Sequence, residues 1–360
     1  VKIPELRFGN NVARVPIVQG GMGVGISLSR LAGAVAKAGG VGVISGVEIG
    51  FSWPTYATDK LRANREALMW HIQRAKEIAL GGLVGVNIMV AVNDYEEMVA
   101  AAVAAQADII FSGAGLPLSL PALVAGSGTC IAPIVSSARA AVLVTKQWLN
   151  KHARLPDMIV VEGPLAGGHL GFSREQLADT SGKFSLETIL TEVLAALRQL
   201  LGERAAAVPV VAGGGLYTGF DIARILRLGA SGAQMSTRFV ATEECDAPDE
   251  FKAAYVAAKP EDVVIIDSPV GMPGRAIRSA FLAEVARGER MPDTCVTNCL
   301  KPCVPSQVPY CIASALINSA QGQMHDGFAF CGSEVHRIRE ITTVPALMAE
   351  LTMELEKAWR

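Results

Sequence analysis

One histidine, three glycine-rich loops and a run of cysteines mark where this chain could do chemistry. His169 stands in Asp157-Met158-Ile159-Val160-Val161-Glu162-Gly163-Pro164-Leu165-Ala166-Gly167-Gly168-His169-Leu170-Gly171-Phe172, where a β-branched run feeds a glycine loop carrying one of five histidines in 360 residues. An imidazole titrates near neutrality, so a strand end that delivers it to a loop suits proton transfer, although a glycine turn with a solvated histidine would look the same locally. Ala212-Gly213-Gly214-Gly215-Leu216 and Gln234-Met235-Ser236-Thr237-Arg238 are a second pair of loops. Glycine lets backbone N–H groups approach an anion closely, and Ser236 and Thr237 add hydroxyls, so the pair reads as a phosphate cup. Arg238 either adds charge there or pairs elsewhere. Gly20-Gly21-Met22 follows the run Val15–Gln19, and Asn87 sits in the apolar Gly85–Met89. Bare backbone and one buried amide suit the face and polar edge of a flat ring such as a flavin, unless Asn87 is satisfied by neighbouring backbone.

The cysteines are the other chemical signal. They run Cys295-x3-Cys299-x3-Cys303-x7-Cys311, with Cys331 beyond. Pro302 and Pro305 argue against one continuous helix through Cys303 and for a loop wrapped around something. In a reducing compartment such clustered thiolates point to a metal, either a structural zinc on four cysteines or an iron–sulfur cluster, although the spacing follows neither common ferredoxin pattern. Cys130 reads as core packing, and Cys245, among Glu243, Glu244 and Asp246, as an unreactive thiol. His71, His152, His325 and His336 read as solvated.

Presenting these groups together requires a scaffold that repeats. Eight short apolar runs are predicted as strands: Pro16–Gln19, Val41–Ser45, Leu83–Val90, Asp108–Ser112, Cys130–Val135, Met158–Glu162, Pro209–Ala212 and Ala233–Met235. Helix-period segments alternate with them, among them Leu28–Ala38, Asp94–Ala105, Ala138–Leu149, Leu186–Leu201 and Phe220–Leu228. Eightfold strand–helix alternation predicts an α/β fold, a (β/α)8 TIM barrel, over an open doubly wound sheet, because the phosphate-like glycines come late. In a barrel the loops after the seventh and eighth strands are neighbours on the active face. Gly46–Ala63, with Phe51, Trp53 and Tyr56, reads as an insertion near the pocket. The predicted division is a barrel over residues 1–245 and a helical subdomain over 246–360 that covers the barrel mouth and contains the cysteine segment 295–311.

Composition bounds the remainder. The chain is 51% hydrophobic and 18% charged with a net charge of −2, which fits a large buried parallel sheet and gives no electrostatic footprint for nucleic acid or a membrane surface. The N-terminal residues lack the apolar core of a signal segment, so a cytoplasmic location is expected. A homo-oligomer is compatible with these features.

Taken in order, Pro16–Met22, Gly85–Met89, Glu162–Gly171, Ala212–Leu216 and Gly232–Phe239 resemble the nitronate monooxygenase family, whose fold group includes the flavin-dependent enoyl-acyl-carrier-protein reductases. The resemblance runs from Val15 to about Thr242, with a looser match at Ser268–Arg278. It implies a barrel that binds FMN without a covalent link. Gly20, Gly21 and Met22 would lie against the isoalloxazine and Asn87 at its polar edge. Gly214, Gly215, Gln234, Met235, Ser236 and Thr237 would form the phosphate cup, with Gly168 close by, and His169 would match the active-site histidine. The expected activity is oxidation of nitronates or similar small carbon acids with His169 as acid/base. The alternative is an NAD(P)H-dependent flavin reductase of enoyl thioesters or quinones that uses an iron–sulfur centre. Further readings are a flavin- or metal-binding sensor without turnover and a barrel acting on a sugar phosphate. A flavin tips the cysteine reading toward a 4Fe-4S cluster on Cys295, Cys299, Cys303 and Cys311, with zinc as the alternative.

Overall fold

The apolar runs become the staves of a closed parallel barrel. In the computed structural model, which describes residues 2–291, 295 and 297–360, the strands are β1 Ile17–Gln19, β2 Val41–Ser45, β3 Leu83–Asn87, β4 Ile109–Ser112, β5 Cys130–Val135, β6 Ile159–Glu162, β7 Val210–Gly213 and β8 Gly232–Met235. Each pairs in parallel with its sequence neighbour, and β8 pairs with β1 through Ala233↔Ile17, Gln234↔Val18 and Met235↔Gln19 to close the ring. Most of the strand residues are buried, because helices cover the outside and side chains fill the inside.

The helices are α1 Ser29–Lys37, α2 Lys60–Ala79, α3 Tyr95–Ala104, α4 Leu120–Leu123, α5 Ala138–His152, α6 Leu186–Leu201, α7 Gly219–Arg227 and α8 Val344–Trp359. Local chemistry explains their ends. Ser137, Ser185, Thr218 and Thr343 each accept a backbone N–H from the first turn of the helix they precede. On α6 the buried residues Leu186, Ile189, Leu190, Val193, Leu197 and Leu201 form one stripe against the barrel. Each large aliphatic side chain so buried contributes roughly 1.5–3 kcal/mol. Asp59 caps α2 through the Arg62 N–H, so the excursion after β2 ends earlier than Ala63.

After β8 the chain does not go directly to its barrel helix. A cover intervenes, with helices Asp249–Ala257, Ala280–Ala286 and Ile312–Ala320 and the antiparallel pair Val263–Asp267 and Pro273–Ile277. Only then does α8 return to pack against α7 and α1. The cover is thus spliced between the eighth strand and the eighth helix. Of the cysteine segment, Val296 lies outside the described residues. Among the described residues no helix is long and apolar enough to cross a membrane.

Candidate active site

The strands point their C-terminal ends at one cavity, and most of the residues singled out in the sequence meet there. Gly21, Met22, Asn87, Gly168, His169, Gly214, Gly215, Gln234, Met235, Ser236 and Thr237 all line it. Gly20 does not. It lies behind the wall, where its N–H donates to the Met235 carbonyl (3.0 Å) and an added Cβ would stand 2.5 Å from Ser236 Oγ. At Gly21 a Cβ would stand 2.4 Å from Cβ of Asn87. Both glycines are therefore required by the crowding of β1 against β3 and β8. At Gly168, with φ +74°, the reverse holds: a Cβ would meet nothing within 4 Å, because the backbone borders open cavity. Gly214 and Gly215 carry φ of +108° and +76°, a conformation that turns the β7 loop across the cavity and that other residues rarely adopt.

His169 is held from above. It belongs to the two-residue strand Gly168–His169, which pairs antiparallel with Pro273–Ile277 of the cover through Gly274↔His169 and Arg275↔Gly168. Its Nε2 lies 2.8 Å from Ser268 Oγ, and its ring packs 4.9 Å from that of Phe330. Ser268 Oγ also accepts the Val270 N–H at 3.3 Å. Burial lowers the His169 pKa to about 4, so the ring is neutral at pH 7. The Ser268 hydroxyl can donate to Nε2 or accept from it, leaving Nδ1 respectively as donor or acceptor. A neutral imidazole with that choice can give or take a proton.

Glu162, at the end of β6, also lines the cavity. Burial raises its pKa to about 8, partly offset by the positive charge of Arg275. Arg275 is itself buried and donates to the Ala166 carbonyl, tying the cover to the loop before His169. Histidine and glutamate thus line one cavity with pKa values pushed by burial in opposite directions, a pattern of functional sites. Ser268 and Arg275 were legible only within the loosely matching Ser268–Arg278 segment, and Glu162 only as the end of a strand and the start of the Glu162–Gly171 motif.

Other expectations need correcting. His71 is not solvated. It is buried with Nδ1 3.1 Å from Ser29 Oγ, its ring packs against Trp53 and Trp70, and burial lowers its pKa to about 4. Arg238 does not serve the phosphate loop, because it is paired with both carboxylate oxygens of Glu350 (3.1 and 3.0 Å) and lies over the Tyr217 ring. The metal expected on Cys295, Cys299, Cys303 and Cys311, as a 4Fe-4S cluster or as zinc, is not met: among the described residues no group of three or more His, Cys, Asp or Glu could hold a metal ion. Cys295 is exposed, Cys299 buried, and Cys303 and Cys311 half-buried.

Comparison with known proteins agrees with this geometry. The family model for nitronate monooxygenase matches residues 9–354. The (3aS,4S,5R,7aS)-5-hydroxy-7a-methyl-1-oxo-octahydro-1H-indene-4-carboxyl-CoA dehydrogenase of Mycobacterium tuberculosis is 27% identical over 280 residues, 76% of this chain and 66% of that protein. A probable nitronate monooxygenase of Staphylococcus saprophyticus is 30% identical over 146 residues, 39% of this chain and 38% of its own length. Among solved structures, FabK from Thermotoga maritima superposes with a TM-score of 0.72 at 24% identity, covering 95% of this chain and 93% of that one, a likeness of fold.

Proposed function

The chain belongs to the nitronate monooxygenase family, and from that premise we propose that this oxidoreductase uses FMN and takes electrons from a small carbon acid, a nitronate or a compound like it, with His169 moving the proton. The cavity fits the cofactor on its own evidence. Gly168 borders open space that a ligand could fill, Gly214 and Gly215 offer backbone that approaches closely, and Asn87 and Gln234 supply amides at the wall. Gly21 and Met22 would lie by the ring and Asn87 by its edge, while Ser236, Thr237 and the Gly214–Gly215 backbone would take the phosphate. With Arg238 paired elsewhere, neutral dipoles would carry most of that anion binding. Bound FMN supplies the two-electron or one-electron chemistry that no side chain can.

The protein's part is proton management. The single observation that carries the reading is a neutral His169, held by Ser268 at the cavity wall, with Nδ1 left to accept or donate. As base it would take the carbon proton of a carbon acid that binds protonated, and as donor it would polarise an oxygen of a nitronate, whose carbon has already lost its acidic proton. The cover fixes the ring in both cases through the Gly274 pairing and Phe330.

A second reading has its own support: the M. tuberculosis relative named for a carboxyl-CoA substrate matches far more of the chain than the staphylococcal one. On that reading the site serves an acyl thioester, either as a dehydrogenase or as an NAD(P)H-dependent reductase of enoyl thioesters. Anaerobic mixing of the yellow protein with propyl nitronate, with an acyl-CoA, and with NADH or NADPH, followed by bleaching near 450 nm, separates the two. Rapid bleaching by nitronate supports the first proposal. Bleaching by NAD(P)H or acyl-CoA alone replaces it with the second. A colourless protein that takes up no FMN removes both.

A further inference from the structure

Resting on the carbon-acid reading of the site, we propose that the substrate is selected by an uncharged apolar tail: beside His169 the cavity has an aliphatic lobe, walled by the cover, that takes a hydrocarbon chain and turns away one ending in an anion. The apolar residues of the cavity wall fall into two groups. Met22, Leu216 and Met235 pack with the core cluster around β7 and β8, at the phosphate cup. Val47, Met89, Leu300, Ile312, Leu316 and Phe330 pack with the cluster around β2 and β3. His169 faces this second group. Its ring lies 4.9 Å from that of Phe330, and its partner Ser268 stands two residues before Val270, which belongs to the same cluster. The reacting end of a substrate at His169 would therefore continue into aliphatic carbon, away from the phosphate cup.

The lobe is built from segments far apart in the chain. Val47 follows β2, Met89 follows β3, and the other four come from the cover. On the cover helix Ile312–Ala320, Ile312 and Leu316 are one turn apart and reach the cavity from one face. Leu300 is pinned to the barrel by its antiparallel bridge to Val92 and by the Lys301 N–H on the Ala91 carbonyl (2.8 Å). Charge makes this lobe selective. Among the described residues no lysine or arginine lines the cavity. Two cations that reach its wall are already committed. Lys60 Nζ donates to Glu48 (3.0 Å) and to the Thr297 carbonyl (2.6 Å), and Arg275 donates to the Ala166 carbonyl. Glu48 also lines the cavity, and its other oxygen accepts the Tyr56 hydroxyl. An anionic tail would be buried without a partner in a wall that already holds a carboxylate, at a heavy cost. A methylene would meet aliphatic carbon and gain up to about fourfold in affinity. The charge of a nitronate itself sits at its reacting end, where His169 can donate.

The test has two readouts on the full-length protein. The first is kcat/KM for ethyl, butyl and hexyl nitronates and for a nitronate of matched length whose chain ends in a carboxylate. The expected result is a rise of about two- to fourfold per added methylene, with the carboxylate-ended compound roughly a hundredfold or more below its methyl-ended match. Leu316→Trp should lower the hexyl-to-ethyl ratio about fivefold or more by filling the lobe, and Leu316→Met should keep it within about twofold. The second readout needs no turnover: calorimetric binding of butanamide, hexanamide and octanamide, against chains of the same length ending in a carboxylate. Affinity should rise along the amides and be lost with the anion. A flat series in both readouts, or equal acceptance of the carboxylate-ended compounds, overturns the proposal. Should Leu316→Trp fail to fold by circular dichroism, the two series on the parent protein decide the matter. The two readings fail separately. If no nitronate is turned over while the amide series still rises, the reaction is wrong and the lobe stands. If nitronates are turned over without regard to the tail and the amide series is flat, the lobe is wrong and the reaction stands.

Discussion

The strand ends that floor the cavity and the cover that closes it differ in what holds them. The floor is made by ladder hydrogen bonds between consecutive strands, and its glycines are fixed by crowding, as at Gly21 against Asn87. The cover buries apolar side chains such as Phe251, Tyr255, Phe281 and Phe328 in the barrel's own hydrophobic clusters, and it meets the site through Gly274 against His169, Arg275 on the Ala166 carbonyl and Ser268 on the His169 ring. The floor can position a rigid cofactor but has few groups that titrate. The cover brings Ser268, Arg275 and Phe330 to the one histidine at the site. On the proposed function, cofactor binding would rest on the floor and proton transfer on the His169 loop with its contacts to the cover, and substitutions should separate them.

The largest effect is expected on the floor. Gly21→Val puts branched carbon where even a Cβ would stand 2.4 Å from Asn87, and both β1 and β3 are fixed in the closed barrel. The variant should melt several degrees below the parent, and its folded fraction should purify nearly colourless, with FMN content below about a tenth of the parent and activity lost in proportion. Normal flavin content in this variant would show that the ring does not lie over Gly21. His169→Ala should do the opposite, retaining FMN while lowering kcat by about a hundred- to ten-thousand-fold. If turnover survives, His169 has no part in proton transfer and the separation between floor and cover loses its main support.

The same division explains how much could be read in advance. Every barrel strand was legible to within about three residues, because a buried parallel strand needs a local run of apolar residues and nothing else. The longest overshoot, Leu83–Val90, arises because Ile88 and Val90 remain apolar and still donate to Phe111 and Gly113 after the regular strand stops at Asn87. The cavity glycines and His169 were legible because strand ends in a barrel share one face. The contacts of the cover were not. Ser268 is 99 residues from the ring it touches, and no periodicity connects them. His71 looked solvated because its own helix is charged, and the burial comes in part from Trp53, on another segment. The cysteine spacing suggested a ligand set, but among the described residues no group of three or more ligands comes together to hold a metal, because spacing along the chain does not encode separation in the fold.

A smaller effect tests how the cover tunes the ring. Ser268→Ala removes the partner of His169 Nε2, a contact of about 1 kcal/mol, so kcat should fall roughly fivefold with FMN content unchanged. A merely structural serine would leave the pH profile alone. Because burial sets the His169 pKa to about 4, the His169 limb of kcat/KM in the parent should lie near pH 4 and the profile should be flat from about pH 5.5 to 7.5. Loss of the hydroxyl should move that acid limb. An unmoved limb with lowered kcat would assign Ser268 to packing. A parent profile that titrates near 6.5 would place His169 in a wetter site than the one described.

The smallest effect concerns Glu162, where the floor meets the cover. Its carboxyl ionises at about 4.5 in an unfolded chain and at about 8 in the folded one. Between those values the unfolded state has lost a proton that the folded state keeps, so stability from this group falls as pH rises through that window, and the penalty is complete above about pH 8. His169 has the opposite sign. Its pKa falls from 6.5 to about 4 on folding, so its contribution rises with pH up to about 6.5 and is constant beyond. The two effects oppose each other in mild acid and separate above pH 6.5, where only Glu162 still titrates. Glu162→Gln keeps the shape and removes the charge, so its melting temperature should gain on the parent between pH 6.5 and 8.5 by a few degrees at most. An equal offset at both values would mean that Glu162 is already ionised in the folded protein, with Arg275 outweighing burial in that wall.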